Sequence, residues 1–361
     1  TQTVRALVID PSAYSVGYDA ALCAALARAG ADVELVTSAF AHGERPAPEG
    51  YAVAERFYRR ARGAPGSRAR RAGKLASHVH DMRALAHLPA DVRHFQWTPV
   101  PWLDQGLLGP APRVLTVHNS GPRSGRLGRD RATRAVIDRM DALIVHSRFG
   151  RDRLCERGVA LDRIHVVPHG AFTPGPPGPP GALPPELADD GRPVVLMFGL
   201  LRPYKGLTTL LGAWRGIEDA QLWVAGRPMM ALPELASGVS LVPRYIADRE
   251  ATALLDRADV IVLPYEADAR IDGSGVLAAA LGAGRATVVS AVGGLAEVAA
   301  TGAAVAVAPG DVDALHAALA ALIADPEARI RLAARARAAA DGPYSWDVAA
   351  ARTLGVYASL T

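Results

Sequence analysis

Val194-Val195-Leu196-Met197-Phe198-Gly199-Leu200-Leu201-Arg202-Pro203-Tyr204-Lys205-Gly206-Leu207 passes from an apolar run, through a loop bearing glycines and cations, into a helical pattern. Val194–Phe198 has the length and composition of a buried strand. Leu207–Trp214 repeats apolar residues at helical spacing. A strand feeding a helix through a short loop is half of a βαβ unit, and it leaves backbone N–H groups free at the helix start, where they favour an anion. Arg202 can fork onto phosphate oxygens and Lys205, three residues on, adds a point charge. Gly206 permits close backbone approach. Of the 40 Lys and Arg residues only Lys74 and Lys205 are lysine, so a lysine here points to a need for a compact ammonium. The bland reading is a solvated surface turn; the sharper one is a diphosphate grip.

The same alternation extends in both directions. Upstream, Val4–Asp10, Val33–Ser38, Val92–Trp97, Val114–His118, Ala142–His146 and Ile164–Val167 are short apolar or β-branched runs. Tyr18, Leu22, Ala25, Leu26 and Ala29 recur at helical spacing before Gly30, and Phe149 to Arg157 reads as a further helix. Downstream, strands are expected at Leu222–Ala225, Val260–Pro264, Ala286–Ser290 and Ala304–Ala308, with a helix at Ala251–Ala258. Ala- and Arg-rich helices follow from Val312 to Ala340 and again after Ser345. The Pro/Gly tract from Pro174 to Gly181 is far too short for collagen and reads as a stiff connector. The expectation is an α/β chain of two Rossmann-like, doubly wound domains: residues 1–172, a linker at 173–192, residues 193–340, and a terminal helix over 341–361 packing back on the first domain. Such sheets bind ligands at the carboxyl ends of their strands, which makes the cleft facing both domains the natural place for a site.

Composition excludes other classes. The chain has 361 residues, half of them hydrophobic and 21% charged, enough for two cores and too apolar for a disordered chain. No stretch reads as a transmembrane helix, and the first ten residues lack the pattern of a signal peptide. Two cysteines, Cys23 and Cys155, are too few for a disulfide scaffold, so a reduced, cytoplasmic setting is expected. A formal charge of +4 does not by itself point to nucleic acid, and no recognition motif accompanies it. His78 and His80 precede Asp81 without further ligands at zinc spacing, so no metal is expected.

A second loop-to-helix junction is Asp272-Gly273-Ser274-Gly275-Val276, before the helix Leu277–Leu281. Small residues with free backbone donors suit a phosphate or a sugar edge; the plain alternative is Ser274 as an N-cap with no ligand. With Val224-Ala225-Gly226, Ala258 to Pro264, Gly282-Ala283-Gly284 and Val292-Gly293-Gly294-Leu295-Ala296-Glu297, the second half resembles family 4 of the retaining glycosyltransferases, which have the GT-B fold. Val145-His146-Ser147, Val166 to Gly170 and Ser345-Trp346-Asp347 extend the resemblance over most of the chain. The resemblance implies transfer of a hexose-type sugar from a nucleotide-diphosphate sugar, the co-substrate, with no other cofactor. Arg202 and Lys205 match residues that hold the donor diphosphate, Gly199 and Gly273 to Val276 match the donor loops, and His118 matches a histidine near the donor sugar. Gly17 matches a glycine loop approaching the donor from the first domain, although Ser15-Val16-Gly17-Tyr18 lacks the usual glycine pair.

The larger departure is in the family's two glutamates, eight residues apart, which fall on Ile271 and Ala279. The second normally holds the nucleotide ribose; Ala279 cannot. For the first, Asp272 or Glu266 is the acid placed to substitute in part. Arg56, Arg59, Arg60, Arg62, Arg68, Arg70 and Arg71, with Phe57 and Tyr58 among them, form a basic run that reads either as a solvated loop or as peripheral contact with an anionic membrane at its inner face. His94, Gln96 and Trp97 close a strand where an acceptor has room. Two rival functions stand against transfer. A nicotinamide oxidoreductase needs a glycine fingerprint after its first strand, and Pro11-Ser12-Ala13 lacks it. A degenerate GT-B chain serving as a scaffold is favoured by the missing glutamates and opposed by Arg202, Lys205 and His118.

Overall fold

The computed structural model describes residues 3–40, 45–61, 67–118, 127–172, 182–235, 238–268 and 271–361. The Pro/Gly connector and Arg62 lie outside them. The chain divides into two compact units: Thr1–His146 with Arg151–Pro168 and Trp346–Thr361, and Ser147–Gly150 with His169–Ser345.

In the first unit β1 (Arg5–Asp10), α1 (Val16–Arg28), β2 (Asp32–Ser38), β3 (Ala52–Phe57), α2 (Arg68–Ala86), β4 (Val92–Phe95), α3 (Pro101–Asp104), β5 (Arg113–Thr116), α4 (Leu127–Asp138), β6 (Ala142–Val145), α5 (Arg148–Glu156) and β7 (Ile164–Val166) follow one another. Among the described residues the sheet order is β3-β2-β1-β4-β5-β6-β7, parallel throughout. The order reverses at β1, so the carboxyl ends of β1 and β4 form a switch point. α1 buries Tyr18, Leu22, Cys23, Ala25 and Leu26, each large apolar side chain worth roughly 1.5–3 kcal/mol. Gly30, at φ 95°, lets the chain turn back after it. The last helix, α12 (Trp346–Ala358), is part of the same core through Ala349, Ala350, Val356 and the fully buried Tyr357.

The second unit holds β8 (Val194–Phe198), α6 (Leu207–Ala213), β9 (Gln221–Ala225), β10 (Val239–Val242), α7 (Asp248–Arg257), β11 (Val260–Leu263), α8 (Gly275–Gly282), β12 (Ala286–Ser290), α9 (Gly293–Ala300), β13 (Val305–Val307), α10 (Val312–Ala324) and α11 (Pro326–Asp341). Its parallel sheet runs β10-β9-β8-β11-β12-β13 among the described residues, with the switch point at β8 and β11. α10 and α11 part at Pro326, where the Asp325 carboxylate accepts the Ala328 N–H at 2.9 Å.

The basic run is a loop only in part: Arg59 and Arg60 lie in the turn after β3, but its two ends belong to regular elements. Arg56 and Phe57 belong to β3, while Arg68, Arg70 and Arg71 open α2. Arginines obscured both elements, because α2 buries only a thin face: Ser77, His78, Met82 and Leu85. His78 is a core group. Its Nε2 lies 2.5 Å from Asp104 Oδ1 and its Nδ1 3.1 Å from the Tyr58 hydroxyl, tying α2 to α3 and to the end of β3.

Candidate functional site

At the second unit's switch point, β8 delivers Gly199 and β11 delivers Pro264, Tyr265 and Glu266. Gly199 sits at φ 100°. A Cβ there would lie 3.0 Å from Val276 Cγ2 and 3.1 Å from Lys205 Nζ, so Gly199, Val276 and Lys205 meet. Gly206, at φ 71°, passes so close to β11 that a Cβ would fall 1.8 Å from the Pro264 carbonyl. This glycine is therefore required by the backbone itself.

Lys205 is 7% exposed. Its ammonium lies 5.6 Å from the centroid of the Tyr265 ring, and no carboxylate among the described residues pairs with it. Burial holds its pKa below the ordinary lysine value, with nearby Arg202 adding to the depression. Arg202 itself is exposed. A buried cation without a counter-charge is costly, and an incoming anion would relieve that cost.

Around this cation, the Tyr265 and Ser274 hydroxyls are 3.2 Å apart, and Ser274 Oγ accepts the Leu277 N–H at 3.4 Å as the N-cap of α8. Ser274 is thus a helix cap, while Gly275 is exposed with open space where a Cβ would stand. Gly273 is half-buried. Glu266 is half-buried; its Oε1 accepts the Thr209 hydroxyl at 2.8 Å and stands 3.1 Å from where a Gly206 Cβ would be. Of the two acids expected near the donor, Glu266 is beside the lysine loop and Asp272 is engaged elsewhere. Asp272 is buried, its carboxylate takes the Ser147 hydroxyl, and a Cβ on Gly150 would collide with it. The carbonyls of Ile271 and Asp272 press on Gly293 and Gly294, leaving no room for a Cβ at either. Ala279 is core. Glu297 accepts the Arg148 and Phe149 N–H groups at 3.0 and 2.7 Å, capping α5.

The first unit gathers a different set at its strand ends. The loop after β1 wraps around the buried Asp10, whose carboxylate accepts the N–H groups of Ser12, Tyr14 and Ser15 at 3.2, 2.6 and 3.1 Å. Those donors therefore face inward. Gly17, just beyond, is exposed, with nothing within 4 Å of the point where a Cβ would stand. Ser15 donates to Asp19 Oδ1 at 3.2 Å and receives the Trp97 indole N–H at 2.8 Å. Burial, then the charge of Asp10, raises the Asp19 carboxyl well above its ordinary value.

Trp97 stacks on His118 at 4.8 Å between centroids, and Tyr18 meets the same ring edge-on at 4.8 Å. His118 Nε2 lies 3.0 Å from the Gln96 carbonyl oxygen, and His118 Nδ1 lies 3.4 Å from His146 Nε2. His146 Nδ1–H donates to the Val167 carbonyl at 3.0 Å. On the other side the Gln96 amide nitrogen is 3.3 Å from His94 Nε2, which is 2.7 Å from Thr116 Oγ1; His94 Nδ1 is 2.7 Å from the Tyr357 hydroxyl. Burial pushes His94 down to about 3 and His146 to about 4. Sequence patterning singled out His118, His94, Gln96 and Trp97 but not the network that links them, nor Tyr265, Asp10 and Asp19, which are ordinary residues in ordinary runs.

Two family models match the chain: one described as Glycosyltransferase Family 4 over residues 20–173, and one described as Glycosyl transferases group 1 over residues 192–325. The alpha-maltose-1-phosphate synthase of Mycolicibacterium smegmatis is 30% identical over 290 residues, 70% of this chain and 74% of that protein. The D-inositol 3-phosphate glycosyltransferase of Xylanimonas cellulosilytica is 34% identical over 255 residues, 63% of this chain and 58% of its own. Among solved structures, HepE of Anabaena in complex with UDP-glucose superposes with a TM-score of 0.72 at 18% identity, covering 99% of this chain and all of that one. Sucrose-phosphate synthase of Thermosynechococcus elongatus gives 0.70 at 18% identity over 99% and 98%.

Proposed function

Because the chain belongs to glycosyltransferase family 4, with the two-sheet GT-B architecture, we propose that it moves a sugar from a nucleotide-diphosphate donor to an acceptor with retention of anomeric configuration. The second unit is assigned the donor and the first the acceptor. The carrying observation is Lys205, an ammonium buried to 7% exposure with which no carboxylate pairs among the described residues. It is framed by Gly199 and Gly206 at the carboxyl ends of β8 and β11. A diphosphate supplies the missing charge. The structure of HepE with UDP-glucose supports a donor of this kind.

In the proposed reaction the bond from the sugar anomeric carbon to the diphosphate oxygen breaks as the acceptor hydroxyl approaches on the same face. The acceptor oxygen forms the new bond, and its proton passes to the departing phosphate oxygen. Lys205, with Arg202 at the rim, offsets the charge that builds on the diphosphate. Gly199, Gly273, Ser274, Gly275 and Val276 line the donor loops, and Glu266 is the acid placed to stand in for the first glutamate, absent at 271. His118 and Gly17 are assigned to the first unit's share of the site. No cofactor beyond the nucleotide sugar is required by this reading.

Thermal shift with UDP, GDP, ADP and dTDP tests it, since a ligand that binds only the folded state raises the melting temperature. A shift with at least one is expected; a response to NAD(P) alone would overturn the reading. A chain that binds the nucleotide yet gives no product with any acceptor would be the scaffold alternative. Peripheral membrane contact is a second proposal, supported by exposed Arg68, Arg71, Lys74 and Leu75 along α2. Among the described residues no helix is long and apolar enough to cross a membrane. Exchanging the seven arginines of the basic run for Gln is expected to weaken sedimentation with anionic vesicles; equal sedimentation would remove the idea.

A further inference from the structure

Among the described residues other than glycine, only Ala13 and Tyr58 have positive φ, at 50° and 60°. A left-handed backbone is costly for a residue that carries a Cβ, most of all for one as large as tyrosine, and a fold keeps it where the surrounding contacts over-determine it. The two residues belong to different loops, one after β1 and one after β3, yet the loops meet: Ser12 Oγ lies 3.4 Å from the Tyr58 hydroxyl. Each loop is held by a carboxylate. Asp10 accepts three N–H groups of the first. Asp81 accepts the Tyr58 N–H at 2.9 Å and the Ser77 hydroxyl at 2.8 Å.

Behind Tyr58 the contacts run inward and close. Asp104 is fully buried; its Oδ2 accepts the Val100 N–H at 2.8 Å, and its Oδ1 lies 2.5 Å from Nε2 of the equally buried His78. The other ring nitrogen, Nδ1, is 3.1 Å from the Tyr58 hydroxyl. Whether Nδ1 takes the phenolic proton or gives its own, one hydrogen-bonding position of the Tyr58 oxygen is used inward, and a lone pair or a proton is left to offer outward. Burial pushes the Tyr58 phenol up to about 12, so the group is a hydroxyl at neutral pH. At 3.4 Å its contact with Ser12 is longer than the usual spacing of about 2.7–2.8 Å between hydroxyls. A third hydroxyl set beside the pair can reach both.

We propose that the Ser12 and Tyr58 hydroxyls together receive a hydroxyl of a cyclic polyol, the ring of the acceptor, and so select among acceptors. The groups around them suit such a ring. Tyr14, two residues on from Ser12, is 63% exposed and close enough to Tyr58 to act on its phenol electrostatically. Its ring offers a flat apolar face to the C–H face of a saturated ring. The Lys74 ammonium stands 5.2 Å from the Tyr58 ring centroid and offers further donors beside it. His78, Asp104 and Asp81 hold Tyr58 from behind, so its hydroxyl is set in place before a ligand arrives. This rests on the assignment of the acceptor to the first unit. It makes Ser12 and Tyr58 specificity-determining residues, and neither is asked to carry the proton of the reaction.

The test is a saturation-transfer NMR titration of myo-inositol, D-glucose and glycerol into the full chain, as wild type, Tyr58→Phe and Ser12→Ala. At least one of the two rings is expected to bind the wild type more tightly than glycerol does, and to lose about three- to tenfold of that affinity in each variant, the worth of one neutral hydrogen bond. Binding of neither ring to the wild type, binding no tighter than that of glycerol, or affinities within about twofold of wild type in both variants would overturn the proposal. Ser12→Ala leaves the buried Asp104–His78 pair untouched and guards against a Phe variant that does not fold. Titration of UDP, GDP, ADP and dTDP into the same samples decides a separate matter. If the variants lose ring affinity and no nucleotide binds the wild type, the polyol subsite stands and the transfer reading falls. If a nucleotide binds all three proteins and their ring affinities are alike, the transfer reading stands and the subsite falls.

Discussion

The two units answer the same topological question in opposite ways. Each is a parallel sheet whose order reverses at one strand, and each gathers polar residues at the carboxyl ends beside that strand. In the second unit the gathered charge is left unmet: Lys205 is enclosed by Gly199, Val276 and Tyr265 and lacks an acid among the described residues. In the first unit polar groups satisfy one another, with Asp10 saturated by its own loop and three histidines linked through Gln96. An unmet buried charge is a cost that a ligand removes. A saturated network holds its members in place. On the proposed function, the difference separates a site that binds from one that positions.

The contrast breaks first, and most severely, at Lys205. Lys205→Ala is expected to lower transfer by roughly 10²- to 10³-fold, as loss of one transition-state charge partner does, while the unliganded melting temperature stays level or rises. A variant with full transfer, or one that fails to fold, would deny that the ammonium is there for an anion. The pH dependence has a sign as well. Because the folded-state pKa lies below that of the unfolded chain, the unfolded state binds more protons between the two values. Stability of the wild type should therefore rise with pH through that window, and Lys205→Met should flatten the rise.

Next in size is Gly206→Ala. The positive φ and the Pro264 carbonyl together forbid a Cβ, so a loss of about 3 kcal/mol or more is expected in denaturant unfolding. A neutral result would mean the loop moves freely, and the cradle would lose its rigidity.

On the first unit's side, His94 and His146 are held at about 3 and about 4. The unfolded chain takes up protons first as pH falls below about 6.5, so stability should decline from there and level off near the folded values. Replacing His146 with Gln is expected to reduce that acid-induced loss, by an amount on the order of 1–3 kcal/mol at pH 4. Identical acid profiles would show that the network does not resist protonation.

The smallest effect is at Asp19, where burial and then the charge of Asp10 favour the neutral carboxyl, a form that an amide mimics. Its folded pKa is raised, so wild-type stability falls as pH climbs from about 4 toward the folded value, whereas Asp19→Asn should lack this fall. Equal slopes would place a charged carboxylate inside the core.

How much of this was legible in the chain differs between the units for the same reason. Strand–loop–helix periodicity gave both sheets, because apolar runs such as Val194–Phe198 and Val260–Leu263 are buried on both faces and carry no ambiguity. It passed over β3, α2 and β10, whose few buried residues are mixed with arginines or lie at a sheet edge. The Lys205 loop could be read because a lone lysine between glycines is compositionally unusual. The first unit's network could not be read as a network: His94, Gln96 and His118 stood out one by one, and their linkage with His146 forms only when strands far apart in the chain set them side by side. Asp272 shows the converse: its position in the sequence suggested a donor-side acid, and packing committed it to Ser147.

Calorimetric titration of UDP, GDP, ADP and dTDP into the wild-type chain and into Lys205→Ala is the most direct trial of the unmet charge. The expected result is that at least one nucleoside diphosphate binds the wild type and loses about tenfold or more of its affinity in the variant, consistent with ~1.5–3 kcal/mol for a charged hydrogen bond. Equal affinity in the two proteins, or no binding of any of the four to the wild type, would contradict it.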